Sequence, residues 1–182
     1  DGAHGYLIHE FISPLSNKRK DEYGGKLDNR IKFPLEILTE IRKVVPPHIA
    51  LGMRITGTDW REDGLSIKDA QRVAQILEEN GLDYLCISSG GITTGLNIPV
   101  GLGYQVHLAA AVKETVSIPV RAVGLITSPR QANDIIVKGD ADMVALARAF
   151  LSNPRWVWDA SIAFQHSIKV PQQYERAYTI QK

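Results

Sequence analysis

Three side chains that can handle protons or oxygen atoms fall within the first nine residues, in the stretch DGAHGYLIHEF: His4, Tyr6 and His9. Two imidazoles and a phenol so close together read as part of a site. His9, five residues beyond His4, reads as a surface or helix-flanking residue. Arg54 poses a sharper question, because it sits inside the apolar run ALGMRIT between Met53 and Ile55. A lone charge is costly to bury. Arg54 therefore either pairs with a carboxylate, with Asp59 and Glu10 as candidates, or faces the edge of an electron-rich ring. Gly124 in VRAVGLIT and Ala147-Arg148 in ALARAFL complete the set. Glycine lets backbone N–H groups approach a phosphate closely, and a guanidinium offers its oxygens a planar fork. The single cysteine, Cys86 in YLCIS, reads as inert core. Together with the five histidines it shows no zinc-ligand spacing.

The elements that must position these groups follow from the apolar pattern. Four short runs, Ala50–Thr56, Asp83–Gly90, Pro119–Ile126 and Asp142–Ala149, are nearly continuously hydrophobic. Strands buried on both faces of a parallel sheet have this composition. Between them the spacing predicts helices. Arg30–Val44 places Ile31, Leu35, Leu38 and Ile41 on one stripe, with Asn29 as its cap. Ser66–Asn80 opens on Ser66 with Asp69 three positions on, and ends at Gly81. Tyr104–Thr115 is rich in alanine, and Ser128-Pro129 starts a helix that stops at Gly139. Asn153-Pro154 opens a last helix, Pro154–Phe164, and the polar tail 169–182 is expected to be irregular. Alternating buried strands and helices imply parallel α/β architecture in a single domain, 1–182. Doubly wound sheets and β/α barrels both satisfy it. GLGYQ, at Gly101–Gln105, comes too late after its strand to serve as a dinucleotide-binding turn.

Composition narrows the function. The 182 residues are 44% hydrophobic and 23% charged, with a formal net charge of +1. That balance disfavours a nucleic-acid binder. No apolar run approaches the ~18 residues of a membrane span, and the first residues carry no signal-peptide pattern. One cysteine excludes an internal disulfide and fits a reducing, cytoplasmic setting. The chain starts without methionine, as a fragment or a processed product does.

The ordered motifs AHGYLIHEFISPLSNKRKDEYGG…NR, RITGTDW, ISSGG, VRAVGLIT, ALARAFLSNPRW and PQQYERA resemble the carboxyl-terminal half of an Old Yellow Enzyme. The match lies in the thermophilic-like bacterial branch of NAD(P)H:flavin oxidoreductases and runs from Ala3 to about Ala177. The resemblance implies a (β/α)8 TIM barrel, here only its last four strands and their helices. It implies FMN at the carboxyl ends of the strands, NADPH or NADH as hydride donor, and an α,β-unsaturated carbonyl as substrate. His4 corresponds to the second histidine of the pair that hydrogen-bonds the substrate carbonyl, where donors aimed at a developing enolate lower the barrier. Tyr6 corresponds to the phenol that protonates the α-carbon. Arg54 corresponds to the contact with the flavin pyrimidine edge, while Gly124, Ala147 and Arg148 fall on the phosphate site. Arg176, in QQYERA, corresponds to a tail arginine that reaches a neighbouring subunit's site, which implies a homo-oligomer.

Three departures stand out. The first histidine of the family pair falls at Asp1, where a carboxylate repels an enolate oxygen. Ala147 replaces a glycine but keeps its backbone N–H. The first four strands are not in the chain, so open edges and an uncovered apolar face must meet either the missing amino-terminal half or a second copy. Two other functions compete with the ene-reductase. One is a non-catalytic remnant that folds or oligomerises without functional flavin. The other is a barrel enzyme acting on a sugar or nucleotide phosphate, which would need neither Arg54 nor the HGY run.

Overall fold

The computed structural model describes the backbone of residues 1–180 and the side chains through Tyr178. An extended start, in which Gly2 bridges Ile55 in parallel, leads into α1 (Leu7–Ile12), α2 (Leu27–Arg30) and α3 (Lys32–Val44). Then β1 (Gly52–Thr56), α4 (Ile67–Glu79), β2 (Tyr84–Ser88), α5 (Val106–Lys113), β3 (Val120–Val123), α6 (Pro129–Val137) and β4 (Met143–Ala145) alternate. Three helices close the described chain: α7 (Arg148–Ser152), α8 (Trp156–Ala163) and, after a 3-10 turn at Gln172–Tyr174, α9 (Glu175–Ile180).

The caps formed largely as their chemistry dictates. Ser66 and Asp69 make the full reciprocal capping box on α4, and Ser128 Oγ accepts from the Gln131 N–H ahead of α6, with Pro129 in the first turn. Asn29 departs from expectation: it lies inside α2, and its Nδ2 donates to Gly24 O at 3.0 Å, tying down the Gly24-Gly25 turn instead of capping α3. The fourth apolar run also splits. Its strand stops at Ala145, and Arg148 opens the short α7; alanine, leucine and arginine in ALARAFL favour helix, and only its continuity with the apolar run read as strand. The helix expected from Pro154 begins at Trp156, two residues on, after Asn153 Oδ1 accepts from the Arg155 N–H. The tail expected to be irregular is helical over Gln172–Ile180 and docks through Tyr178, which is buried, and through Tyr174, whose ring packs edge-on to Trp158. Residues 181–182 of that tail lie outside the described residues.

Sheet order settles the architecture that composition left open. The four strands are parallel and lie side by side in sequence order, β1-β2-β3-β4. Right-handed crossovers between consecutive neighbours place every connecting helix on the same face, whereas a doubly wound sheet reverses order and covers both. Alternate residues confirm one helical face: Met53, Ile55, Leu85, Ile87, Val120 and Ala122 join the core formed with Val73, Leu77, Leu108, Val112 and Ile135. The fold is half of a β/α barrel. Its inner face carries Arg54, Cys86, Arg121 and Met143 in one register row. This face is not the plain apolar surface expected. The Arg121 guanidinium lies 5.1 Å over the Tyr84 ring, while Cys86 is buried between the two arginines.

Candidate active site at the carboxyl ends of the strands

The carboxyl ends of β1 to β4 converge on a cavity of about 200 Å³ lined by His4, Arg54, Ser88, Gln105, Gly124, Ala147 and Arg148, among others. Five of the seven residues expected at the site thus share one wall. Arg54, on the edge strand β1, and Arg148, which opens α7 just after the opposite edge strand β4, line the same cavity. A larger groove of about 380 Å³, between α5 and α6 near Arg130 and Lys138, gathers none of these strand-end residues.

Arg54 projects from the middle of β1, and its partner is Asp1, not Asp59 or Glu10. Its Nε donates to Asp1 Oδ1 at 3.2 Å, and its Nη2 makes a second, shorter contact with Oδ2. The guanidinium enters the site with its charge already half answered. Asp59 is unavailable to it, being held beneath α1 by His9 and Ser13.

His4 sits in a strained turn. Its φ is +58° and that of Gly5 is +77°, a left-handed conformation uncommon for residues with side chains. Neighbouring backbone enforces it: a Cβ added to Gly91 would lie 2.5 Å from His4 Cα. The ring reaches the end of β2, where Nε2 lies 2.6 Å from Ser88 Oγ. Half-burial, then the positive charge of Arg54, holds the imidazole below its ordinary pKa. At neutral pH His4 is therefore an uncharged ring with one N–H to give.

Gly124 closes β3 with φ +120°, and a Cβ there would come within 2.7 Å of the Gln105 amide. Gln105 is the residue that sequence reasoning missed. It is buried just before α5, accepts from Ser89 Oγ at 2.5 Å and donates to Val123 O at 3.1 Å, so it ties the ends of β2 and β3 together. The only signal for it was a polar residue between the glycine-rich turn and an apolar helix. Arg148 and Ala149 open α7, where first-turn N–H groups have no partner within the helix.

Two expected site residues stand apart. Tyr6 precedes α1, is 61% exposed and does not line the cavity. Arg176 lies exposed on α9, also outside the cavity. His9, read as a surface residue, is wholly buried instead. Its position on α1 turns it inward under the His4–Gly5 turn, where Gly5 N–H donates to its Nδ1 at 2.9 Å.

These residues fit a flavin mononucleotide in kind. A guanidinium beside a close-approach glycine and open first-turn amides suits a phosphate, and a second guanidinium on the same rim suits the pyrimidine edge. A cavity that encloses a ligand measures ~300–1,000 Å³, so this chain supplies one wall and not the whole enclosure.

Comparison with known proteins agrees. An NADPH dehydrogenase from Geobacillus sp. (strain WCH70) is 44% identical over 177 residues, covering 97% of this chain and 51% of the relative. Another, from Halalkalibacterium halodurans, is 42% identical over 97% of this chain and 52% of its own length. The chain spans about half the length of these curated relatives. Among solved structures, a 2-naphthoyl-CoA reductase in complex with 2-naphthoyl-CoA aligns with a TM-score of 0.80 and 29% identity, over 91% of this chain and 26% of that one. The sequence profile of the NADH:flavin oxidoreductase / NADH oxidase family matches residues 1–164, and the chain belongs to that family, the Old Yellow Enzymes.

Proposed function

We propose that this chain forms the flavin-binding and carbonyl-binding wall of a cytoplasmic, FMN-dependent NAD(P)H oxidoreductase that reduces the C=C bond of α,β-unsaturated carbonyls. The observation that carries the reading is the convergence of His4, Arg54, Gly124 and Arg148 on one cavity. FMN, when bound, supplies the hydride drawn from NAD(P)H. Arg148 and the amides that open α7 hold the phosphate. Arg54 faces the pyrimidine edge once it yields part of its contact with Asp1. His4 donates an N–H to the substrate carbonyl, drawing electron density from the β-carbon and stabilising the enolate that forms. Tyr6, exposed and outside this cavity, would supply the proton to the α-carbon only on turning toward a bound substrate. The opposite wall comes from an amino-terminal half of the barrel or from a second copy, and Arg176 on the exposed α9 reaches a neighbouring subunit.

Comparing FMN with riboflavin tests the phosphate cradle. The purified chain is titrated with each and flavin fluorescence is followed. FMN is expected to bind at least about tenfold more tightly, from one charge-assisted fork worth ~1.5–3 kcal/mol. Arg148→Ala is expected to remove most of the difference, leaving what the α7 amides contribute. Equal binding of the two flavins by the unaltered chain overturns the reading. Enone-dependent oxidation of NADPH by the complete barrel then tests the reaction.

A further inference from the structure

We propose that His9 is the positioning residue for His4, acting through one backbone amide, that of Gly5. The inference rests on the proposed role of His4 at the substrate carbonyl. His9 is 0% exposed and lies between two groups with opposite demands. Gly5 N–H donates to its Nδ1 at 2.9 Å, with Thr56 Oγ1 a longer contact at 3.4 Å. On the other side Nε2 lies 3.0 Å from Asp59 Oδ1, an ion-pair distance, although the two atoms fall short of hydrogen-bond alignment. A donor facing Nδ1 and a carboxylate facing Nε2 define one state, a neutral imidazole with its hydrogen on Nε2.

Asp59 is a fixed anchor for that state. Its Oδ2 accepts from Ser13 Oγ at 2.6 Å and from the Leu65 N–H at 2.7 Å. Burial alone would raise its carboxyl pKa, but the contacts with His9, Ser13 and Leu65 outweigh burial and hold it below the usual value. The chain of contacts thus runs from the loop after β1, through His9, to the amide of Gly5.

That amide follows His4, which with Leu125 is one of two non-glycine residues lining the cavity in the left-handed region. A non-glycine residue in the left-handed region costs ~1–3 kcal/mol and persists only where its surroundings over-determine it. At His4 the constraints are Ser88 on the ring, Gly91 on the backbone, and His9 on the next amide. Ser88 ends β2 and Gly91 lies in the loop that follows it. His9 is the hold from the α1 side, and without it the turn relaxes and carries the imidazole out of the cavity.

Two replacements separate the ends of the His9 ring. His9→Asn leaves an amide oxygen near the place of Nδ1, and His9→Gln leaves an amide near the place of Nε2. In the purified chain, NMR is expected to find the Gly5 amide protected from exchange in the wild type and in His9→Asn. In His9→Gln exchange is at least about tenfold faster, and the His4 imidazole titrates closer to its ordinary value. If folded Asn and Gln variants behave alike, or Gln alone preserves the wild-type signature, the proposal is overturned. A measurement on the wild type needs no variant: nitrogen-15 shifts must place the His9 hydrogen on Nε2, and an Nδ1-bound hydrogen sinks the idea. These readouts involve neither flavin nor substrate. Failure of enone reduction with them intact counts against the proposed function and leaves the role of His9 standing.

Discussion

The Asp1 carboxylate faces the Arg54 guanidinium edge to edge, with Nε 3.2 Å from Oδ1 and a second, closer contact between Nη2 and Oδ2. Both partners are partly open to solvent, so the pair is worth no more than ~0–1 kcal/mol. It nonetheless occupies the guanidinium face that the proposed pyrimidine contact requires. Asp1→Asn is therefore expected to tighten FMN binding by up to about fivefold, the equivalent of ~1 kcal/mol. A fluorescence titration that shows unchanged or weaker binding would mean that the carboxylate does not compete.

The depressed pKa of His4 links the site to stability. Unfolding returns the imidazole to the ordinary value of 6.5. Below that pH the unfolded chain binds a proton that the folded chain resists, so stability falls as pH drops from about 6.5 toward the folded pKa. His4→Gln is expected to remove that part of the slope in urea unfolding measured between about pH 7 and pH 5. Arg54→Met is expected to raise the His4 pKa only in part, because burial is the larger cause and Arg54 the second. Full return to the ordinary value in Arg54→Met would show that charge, not burial, governs the ring.

Gly91→Ala probes the backbone that forces His4 into its turn. Gly91 has φ +89°, and its new Cβ would stand 2.5 Å from His4 Cα. Alanine in a left-handed conformation against rigid backbone is expected to destabilise the chain by ~1–3 kcal/mol. It should also displace the His4 ring, read as a shifted imidazole resonance. A stable variant with an unmoved resonance would show that the turn has room to spare.

Much of this arrangement was legible before any coordinates. Buried strands, the Ser66 and Ser128 caps and the place of Gly124 just after β3 follow from local chemistry, which nearby residues decide. The misses share a cause, which is dependence on partners distant in sequence. His9 looked peripheral because its burial is set by Asp59, fifty residues on. Arg54 was matched with Asp59 or Glu10, and the fold instead pairs it with Asp1, which that reading had not named. Gln105 carried no motif, because its role is to join two strand ends that only the sheet brings together. Barrel and open sheet share one strand–helix rhythm, and strand order separates them.

The proposed work of His4 depends on which of its nitrogens carries the hydrogen. Ser88 Oγ is 2.6 Å from His4 Nε2 and 3.3 Å from Gln105 Oε1, and Ser89 Oγ already donates to that same Oε1 at 2.5 Å. With its single hydrogen on the shorter contact, Ser88 donates to Nε2; with it on Gln105 Oε1, Ser88 accepts from Nε2–H instead. The carbonyl role of His4 requires the first arrangement, in which Nδ1 keeps the ring hydrogen and has a donor to give. In the opposite tautomer Nε2–H is spent on Ser88, and a neutral ring has no donor left for substrate. Nitrogen-15 shifts of the neutral His4 ring are expected to show the hydrogen on Nδ1. Ser88→Ala removes the group that fixes it, and binding of a carbonyl ligand is expected to weaken by about 2- to 12-fold, the value of one hydrogen bond of ~0.5–1.5 kcal/mol. A wild-type ring protonated on Nε2 would take the carbonyl role away from His4, whatever the rest of the wall does.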